Sequence, residues 1–270
     1  MKKINVCVLC GYGINCDHET AFAFERAGAS PRRVHLNSLF DGSVRLEDFQ
    51  ILAFPGGFGW GDDHGAGVIQ AVAMKTHMGA GLLEFVEAGK LVIGICNGFQ
   101  TLVNLGLLPG LDHDYSRRLT ALTHNDCGNF RDDWTTLEAD EKSPCVFTRG
   151  MGRIELPIRH GEGKFVADEA ILDRLEGERL IALRYALPEG GPAKGRFPEN
   201  PNGSLRDIAG ICDPTGRIFG LMPHPEAFNH WTNHPSWTRI WEERKRRGEP
   251  FLSGMTPGVR LFKNAVDFFA

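Results

Sequence analysis

"KLVIGICNGFQTLVNLG" (residues 90–106) places Cys96 at the point where one kind of secondary structure gives way to another. "KLVIGIC" is apolar without alternation, as in a strand buried on both faces. "NGFQTLVNLG" reads as a helix that Gly106 ends. A strand that turns directly into a helix is the unit of a parallel α/β sheet, so the surrounding chain should show the same alternation.

It does so over the first 110 or so residues. "INVCVL" (4–9) reads as a buried strand, and "CDHETAFAFERAG" (16–28) as a helix capped at or before Asp17 and ended by Gly28. "RRVHL" and "FQILAFPGG" read as further strands, and about 67–88 as a long helix. In the second half "GRIELPIRHGEGKFV", "RLIALRYAL", "DIAGICD" and "RIFGLMPH" read as strands with hairpin-like spacing. Residues 187–206, rich in Gly, Pro and Asn, read as a surface loop. A helix is predicted over 235–247, and a last one in "TPGVRLFKNAVDFF" with Thr256 as cap and Pro257 at its first position. The fold class that follows is α/β: a mainly parallel twisted sheet with helices on both faces and added antiparallel strands. No repeat or clear linker divides the chain, so one domain spanning 1–270 is expected.

The bulk properties narrow the class of function. A net charge of −4 gives no basis for nucleic acid or an anionic membrane as main partner. No apolar run approaches the roughly 18 residues a spanning helix needs. "MKKINVCVLCGYG" imitates a secretion signal, but its apolar part is short and Asn5 interrupts it, so a first strand and a cytosolic location are expected. Seven scattered cysteines agree with reduced thiols.

The stretch "GICNG" has the grammar of a nucleophile elbow, small–x–nucleophile–x–small. Gly94 and Gly98 would relieve clashes at a tight turn, and the helix that follows would offer free N–H groups and a positive dipole end to a thiolate and an oxyanion. The alternative is a core cysteine beside two packing glycines. A thiol nucleophile needs a base and the base needs an orienting group. His224-Pro225-Glu226 and His160-Gly161-Glu162 both offer one, since residues i and i+2 of an extended chain share a face. His224 is favoured because Pro223 and Pro225 stiffen its segment and it follows an apolar strand. His160 sits among glycines, which suits contact with a ligand. "FPGGFGWGDD" supplies the oxyanion candidates Gly56 and Gly57, with the N–H of Asn97 as the second donor.

Together, Pro55-Gly56-Gly57, Gly94 to Gln100 and His224-Pro225-Glu226 resemble, in order, the three motifs of the class I (triad) glutamine amidotransferases. The resemblance extends over nearly the whole chain and narrows to glutaminase subunits of purine biosynthesis through "GINCDHE", "CNGFQ", "HGEGKF" and "NPNGSLRDIAGICD". It implies a flavodoxin-like fold in which Cys96 attacks the side-chain amide of L-glutamine, His224 moves the proton, Glu226 orients the imidazole, and Gln100 helps recognise the substrate. It also implies a synthetase partner that uses ATP and Mg to amidate formylglycinamide ribonucleotide, a small bridging subunit, and no cofactor or metal on this chain. No ATP-binding motif occurs here. A free-standing hydrolase of γ-glutamyl compounds and a non-catalytic regulatory subunit of the same fold are the alternatives.

Segments near 111–140, 187–199 and 227–257 depart from that resemblance as insertions. Cys7-x-x-Cys10 reads as a strand pair pointing to opposite faces. "HNDC" (124–127) and "HWTNH" (230–234) have ligand-like spacing without further partners, and "RKRR" (244–247) reads as the solvated face of a helix.

Overall fold

Four strands among the described residues are apolar at every position and buried at every position, and these form the middle of the sheet. A computed structural model describes residues 3–250 and 254–270. Residues 251–253, within the 227–257 segment, and the first two residues of the N-terminal stretch lie outside the described residues. In chain order the elements are β1 (Asn5–Cys10), α1 (Asp17–Arg26), β2 (Ser30–His35), α2 (Leu36–Phe40), β3 (Ile51–Phe54), α3 (Val68–Glu87), β4 (Leu91–Ile95) and α4 (Asn97–Leu105). There follow β5 (Thr120–His124), β6 (Arg131–Ala139), β7 (Arg153–His160), β8 (Glu162–Ala167), α5 (Glu169–Gly177), β9 (Ile181–Tyr185), β10 (Ile208–Cys212), β11 (Ile218–Leu221), α6 (Trp237–Arg246) and α7 (Pro257–Asp267).

A nine-stranded sheet runs in the order β2-β1-β3-β4-β11-β10-β9-β6-β7. Its first five strands pair in parallel, in the flavodoxin-like order, and the remaining four add antiparallel. Both edge strands contain a proline, Pro31 in β2 and Pro157 in β7, at positions where a central strand would need the N–H. Helix α1 packs on α7, and α3 packs on α4. Thr256 caps α7 by accepting the Val259 N–H, with Pro257 first in the helix. None of the described helices is long and apolar enough to cross a membrane.

Four readings of the sequence need correction. The single strand expected over 152–166 is two, broken at Gly161: β7 edges the large sheet while β8 pairs with β5 in a separate two-stranded sheet. The 111–140 segment contains β5 and the nine-residue β6, whose acidic, partly exposed sequence conceals a strand that pairs on both sides. Helix α5 was not anticipated. The 187–206 loop is not all surface: Asn200, Asn202 and Ser204 are buried. Their side chains satisfy the backbone there, with Asn200 Oδ1 accepting the Gly203 and Ser204 N–H groups and Asn202 Nδ2 donating to Gly163 O at 2.8 Å.

Candidate active site

Parallel pairing of β4 with β11 puts Ile95 beside Leu221, so the two chains leave the sheet at the same level. Cys96 is the next residue on one and His224 follows closely on the other. Cys96 donates its N–H to Leu221 O at 2.8 Å and adopts φ 51°, ψ −108°, a strained conformation for a residue with a side chain. That kink starts α4 at Asn97, whose N–H is among the helix N–H groups without an intrahelical partner. The elbow depends on its glycines: a Cβ on Gly98 would stand 1.9 Å from Phe54 O, and one on Gly94 2.6 Å from Gly98 O. Cys96 is 6% exposed, and its thiol points toward Arg159 O at 3.6 Å.

His224 is anchored by its N–H on Pro157 O of β7, at 2.7 Å. Its Nδ1 lies 2.6 Å from Glu226 Oε1, with both residues almost fully buried. The pair is reached differently from the extended alternation expected. The chain turns into a 3₁₀ turn at Pro225–Ala227, and Ala227 donates its N–H to His224 O. Helix α7 supports this turn: a Cβ on Gly258 would stand 2.2 Å from Pro225 O, and the Thr256 hydroxyl bonds Phe228 O. Burial works against a charged His224, but the Glu226 carboxylate, then Cys96 and Cys16, outweigh it and hold the imidazole well above its ordinary pKa. Its Nε2 is buried without a hydrogen-bond partner, and so is Glu226 Oε2.

A third residue contacts the imidazole. Cys16 Sγ lies 4.0 Å from His224 Nδ1, and its own thiol is pushed up chiefly by burial. It is there because the loop after β1 joins the Pro55-Gly56-Gly57 loop: the N–H groups of Asn15 and Cys16 both reach Gly56 O, and Phe58 N–H reaches Gly13 O. Gly56 also abuts the base, since a Cβ on it would stand 2.7 Å from His224 Cε1. Within "GINCDHE" the sequence assigns no role to Cys16; the signal available there is that the stretch follows a strand, as Cys96 does. Asp17 instead pairs with Arg33 at 2.6 Å. Cys16, His224 and Glu226 are the one group of three potential metal donors among the described residues. Their Nδ1–Oε1 contact is already a hydrogen bond.

Cys96 opens on a cavity of about 410 Å³, lined also by Gly57, Gln100, His160 and the carboxylates Asp62 and Glu162. Asn97 is buried, and its side chain holds the glycine-rich loop: Oδ1 accepts Gly59 N–H, and Nδ2 donates to Asp62 Oδ1 at 2.8 Å. Gln100 donates to Glu162 O at 2.5 Å and accepts from Asn97 Nδ2, so both ends of its amide are engaged. Burial and the nearby Glu162 push Asp62 up to about 6 against the hydrogen bond from Asn97.

His160 does not join the His224–Glu226 pair but forms another part of the wall. Asn125 Nδ2 donates to two carbonyls, His160 O and Asn129 O, so its Oδ1 must be the atom facing Gly163 N–H and His160 Nδ1. The His160 proton therefore sits on Nδ1, and the buried, unpartnered Nε2 is a bare acceptor. Burial, then the charge on His224, push His160 down to about 3, so it stays neutral.

Of the cysteine and histidine segments noted in the sequence, "HNDC" borders this cavity through His124 and Asn125, and the others lie away from it. Cys7 is buried in the core, and burial first of all pushes its thiol up to about 12. Cys127 contacts Asn129, and His234 contacts Glu155 at 3.3 Å and packs on Trp134. In "RKRR", Arg244, Arg246 and Arg247 pair with Glu249 or Glu242.

A family profile for the CobB/CobQ-like glutamine amidotransferase domain matches residues 3–269. The chain is 44% identical over 264 residues to a phosphoribosylformylglycinamidine synthase subunit PurQ from Methanococcus maripaludis, covering 98% of this chain and 97% of that one. A PurQ subunit from Dehalococcoides mccartyi is likewise 44% identical over 266 residues, covering 98% of each. Among solved structures, one described as PurLQS from Thermotoga maritima superposes with a TM-score of 0.71 and 27% identity, covering 100% of both chains. A glutamine amidotransferase from the same organism, at 14% identity and TM-score 0.52, shares the fold.

Proposed function

The chain belongs to the CobB/CobQ-like glutamine amidotransferase family, and on that basis we infer that it is the glutaminase subunit of a phosphoribosylformylglycinamidine synthase. It hydrolyses L-glutamine to L-glutamate and ammonia and supplies the ammonia to a synthetase subunit in purine biosynthesis, with a small third subunit in the complex. The observation that carries this reading is identity of 44% along nearly the full length of both chains. We further propose that the synthetase is where ATP and Mg act and that the complex works in the cytosol. The chain acts as one domain spanning 1–270, to which the 111–140, 187–199 and 227–257 segments are additions.

We assign the chemistry to Cys96, His224 and Glu226. The Cys96 sulphur attacks the amide carbon of the glutamine side chain. His224 takes the thiol proton and returns it to the departing ammonia, leaving a glutamyl thioester. Water, deprotonated by the same imidazole, then releases glutamate. Glu226 favours this cycle by holding Nδ1 and stabilising the imidazolium, as the 2.6 Å contact and the raised His224 pKa support. The oxyanion falls to the N–H groups of Asn97 and of Gly56-Gly57. His160, locked as an acceptor, receives an N–H of the substrate, while Gln100 lines the cavity and braces the Glu162 wall. Replacing Cys96 by Ser in the assembled complex is expected to abolish glutamate release; equal release by wild type and variant would overturn the assignment.

A further inference from the structure

We propose that Asp62 and Glu162 together bind the α-ammonium of the substrate glutamine and so select a free amino acid over a plain amide. The proposal rests on the glutaminase reading and deepens it. Both carboxylates line the cavity that contains Cys96. Asp62 arrives on the loop after β3 and Glu162 opens β8, so the fold brings them together from distant parts of the chain.

Neither has a lysine or arginine partner among the described residues. Asp62 accepts from the neutral Asn97 amide. Glu162 accepts the Ala66 N–H at 3.5 Å and lies 3.8 Å from the His124 imidazole, which is 82% exposed. Arg159, the one arginine or lysine in the cavity wall, lies 3.6 Å from Asp132 instead. Two carboxylates held together in a partly dry site repel each other, and a bound cation relieves that repulsion. The rise in the Asp62 pKa, due first to burial and then to Glu162, agrees with this shortage of positive charge.

A second feature of the same wall is an unpaired acceptor. His160, 3% exposed, contributes to the same wall, and its buried Nε2 has no partner in the protein. A metal ion fits poorly: the only triple of close donors among the described residues is Cys16, His224 and Glu226. A ligand with an ammonium at one end and an amide N–H at the other satisfies both the acid pair and the bare imidazole nitrogen. Glutamine is such a ligand.

The test compares kcat/KM for L-glutamine and for glutaramate, which keeps the amide and lacks the ammonium, in the assembled complex. Wild type should prefer glutamine. Asp62→Asn and Glu162→Gln should each lose about tenfold or more of that preference, chiefly through KM for glutamine. Asp62→Glu and Glu162→Asp should restore part of it. If a variant turns over too slowly, protection of Cys96 from iodoacetamide by L-glutamate against glutarate reads the same ratio. A wild-type ratio in both neutral variants, whatever their absolute rates, overturns the assignment. A wild-type complex that hydrolyses neither substrate overturns the glutaminase reading instead.

Discussion

The His224 imidazole and the Glu226 carboxylate are bonded at 2.6 Å while nearly every atom of both is shielded from water. In that setting burial opposes the imidazolium, and the carboxylate is the largest of the groups, with Cys96 and Cys16, that together outweigh that cost. Glu226→Gln keeps the shape and removes the charge. We expect kcat for glutamate release to fall by about a hundredfold or more. The imidazole pKa should drop toward or below its ordinary value, moving the acid limb of the kcat profile to lower pH. Stability supplied by the charged His224 is present at low pH and is lost as pH rises through its raised pKa, so the variant should also show a flatter dependence of Tm on alkaline pH.

Gly98 has no room for a methyl group, because the obstructing atom is the backbone oxygen of Phe54, 1.9 Å from where a Cβ would stand. Backbone cannot swing aside as a flexible side chain can. Gly98→Ala should cost about 3 kcal/mol or more, read as a lower urea midpoint with an unchanged m value. It should also displace Cys96, so activity measured well below the midpoint should fall.

Asn125 decides which nitrogen of His160 carries the proton. Asn125→Asp leaves an acceptor for Gly163 N–H and places a negative charge beside the ring. A nearby carboxylate raises an imidazole pKa, so His160 should rise from about 3 and an NMR titration of its ring protons should follow that rise. Below the new pKa the ring becomes a donor at both nitrogens. The expected result is an acid inflection in kcat/KM for glutamine that the wild type lacks.

Asp62 is a charge the fold tolerates at some cost. Burial and Glu162 raise it from 3.8 to about 6. Its contribution is therefore favourable below the unfolded value, where it is protonated in both states, and is lost as pH rises through about 6. Asp62→Asn keeps an acceptor for Asn97 and removes the ionisation. The variant should melt higher than wild type at pH 7, and the difference should disappear near pH 4. A difference that is constant with pH would contradict this.

Much of this protein is legible along the chain. The strands β1, β3 and β4 are apolar runs closed by glycine, proline or a helix start, and such runs declare burial on both faces without reference to anything distant. The elbow around Cys96 is a local device, so Cys96 stands out as a candidate in the sequence, whereas spacing alone offers both His224-x-Glu226 and His160-x-Glu162 and the 3₁₀ turn at Pro225–Ala227 is not legible there. β6 escaped notice because its charged residues face outward and its pairing to β7 and β9 satisfies the backbone that its side chains do not advertise. α5 is short, with only Leu172 and Leu175 buried.

What joins the parts is nonlocal. The register of β4 on β11 sets the Cys96 turn beside the segment that carries His224, and the clasp of the Cys16 loop on Gly56 adds a second thiol to the imidazole. The break at Gly161 sends β8 away from β7, which turns Glu162 toward Asp62 and leaves His160 on the Asn125 lock. Chain periodicity reports which residues are buried and where the backbone turns, because those depend on neighbours a few residues away. Proton positions, the shared charge of two carboxylates and the pKa of a buried imidazole depend on groups brought close by folding, and only the folded arrangement fixes them.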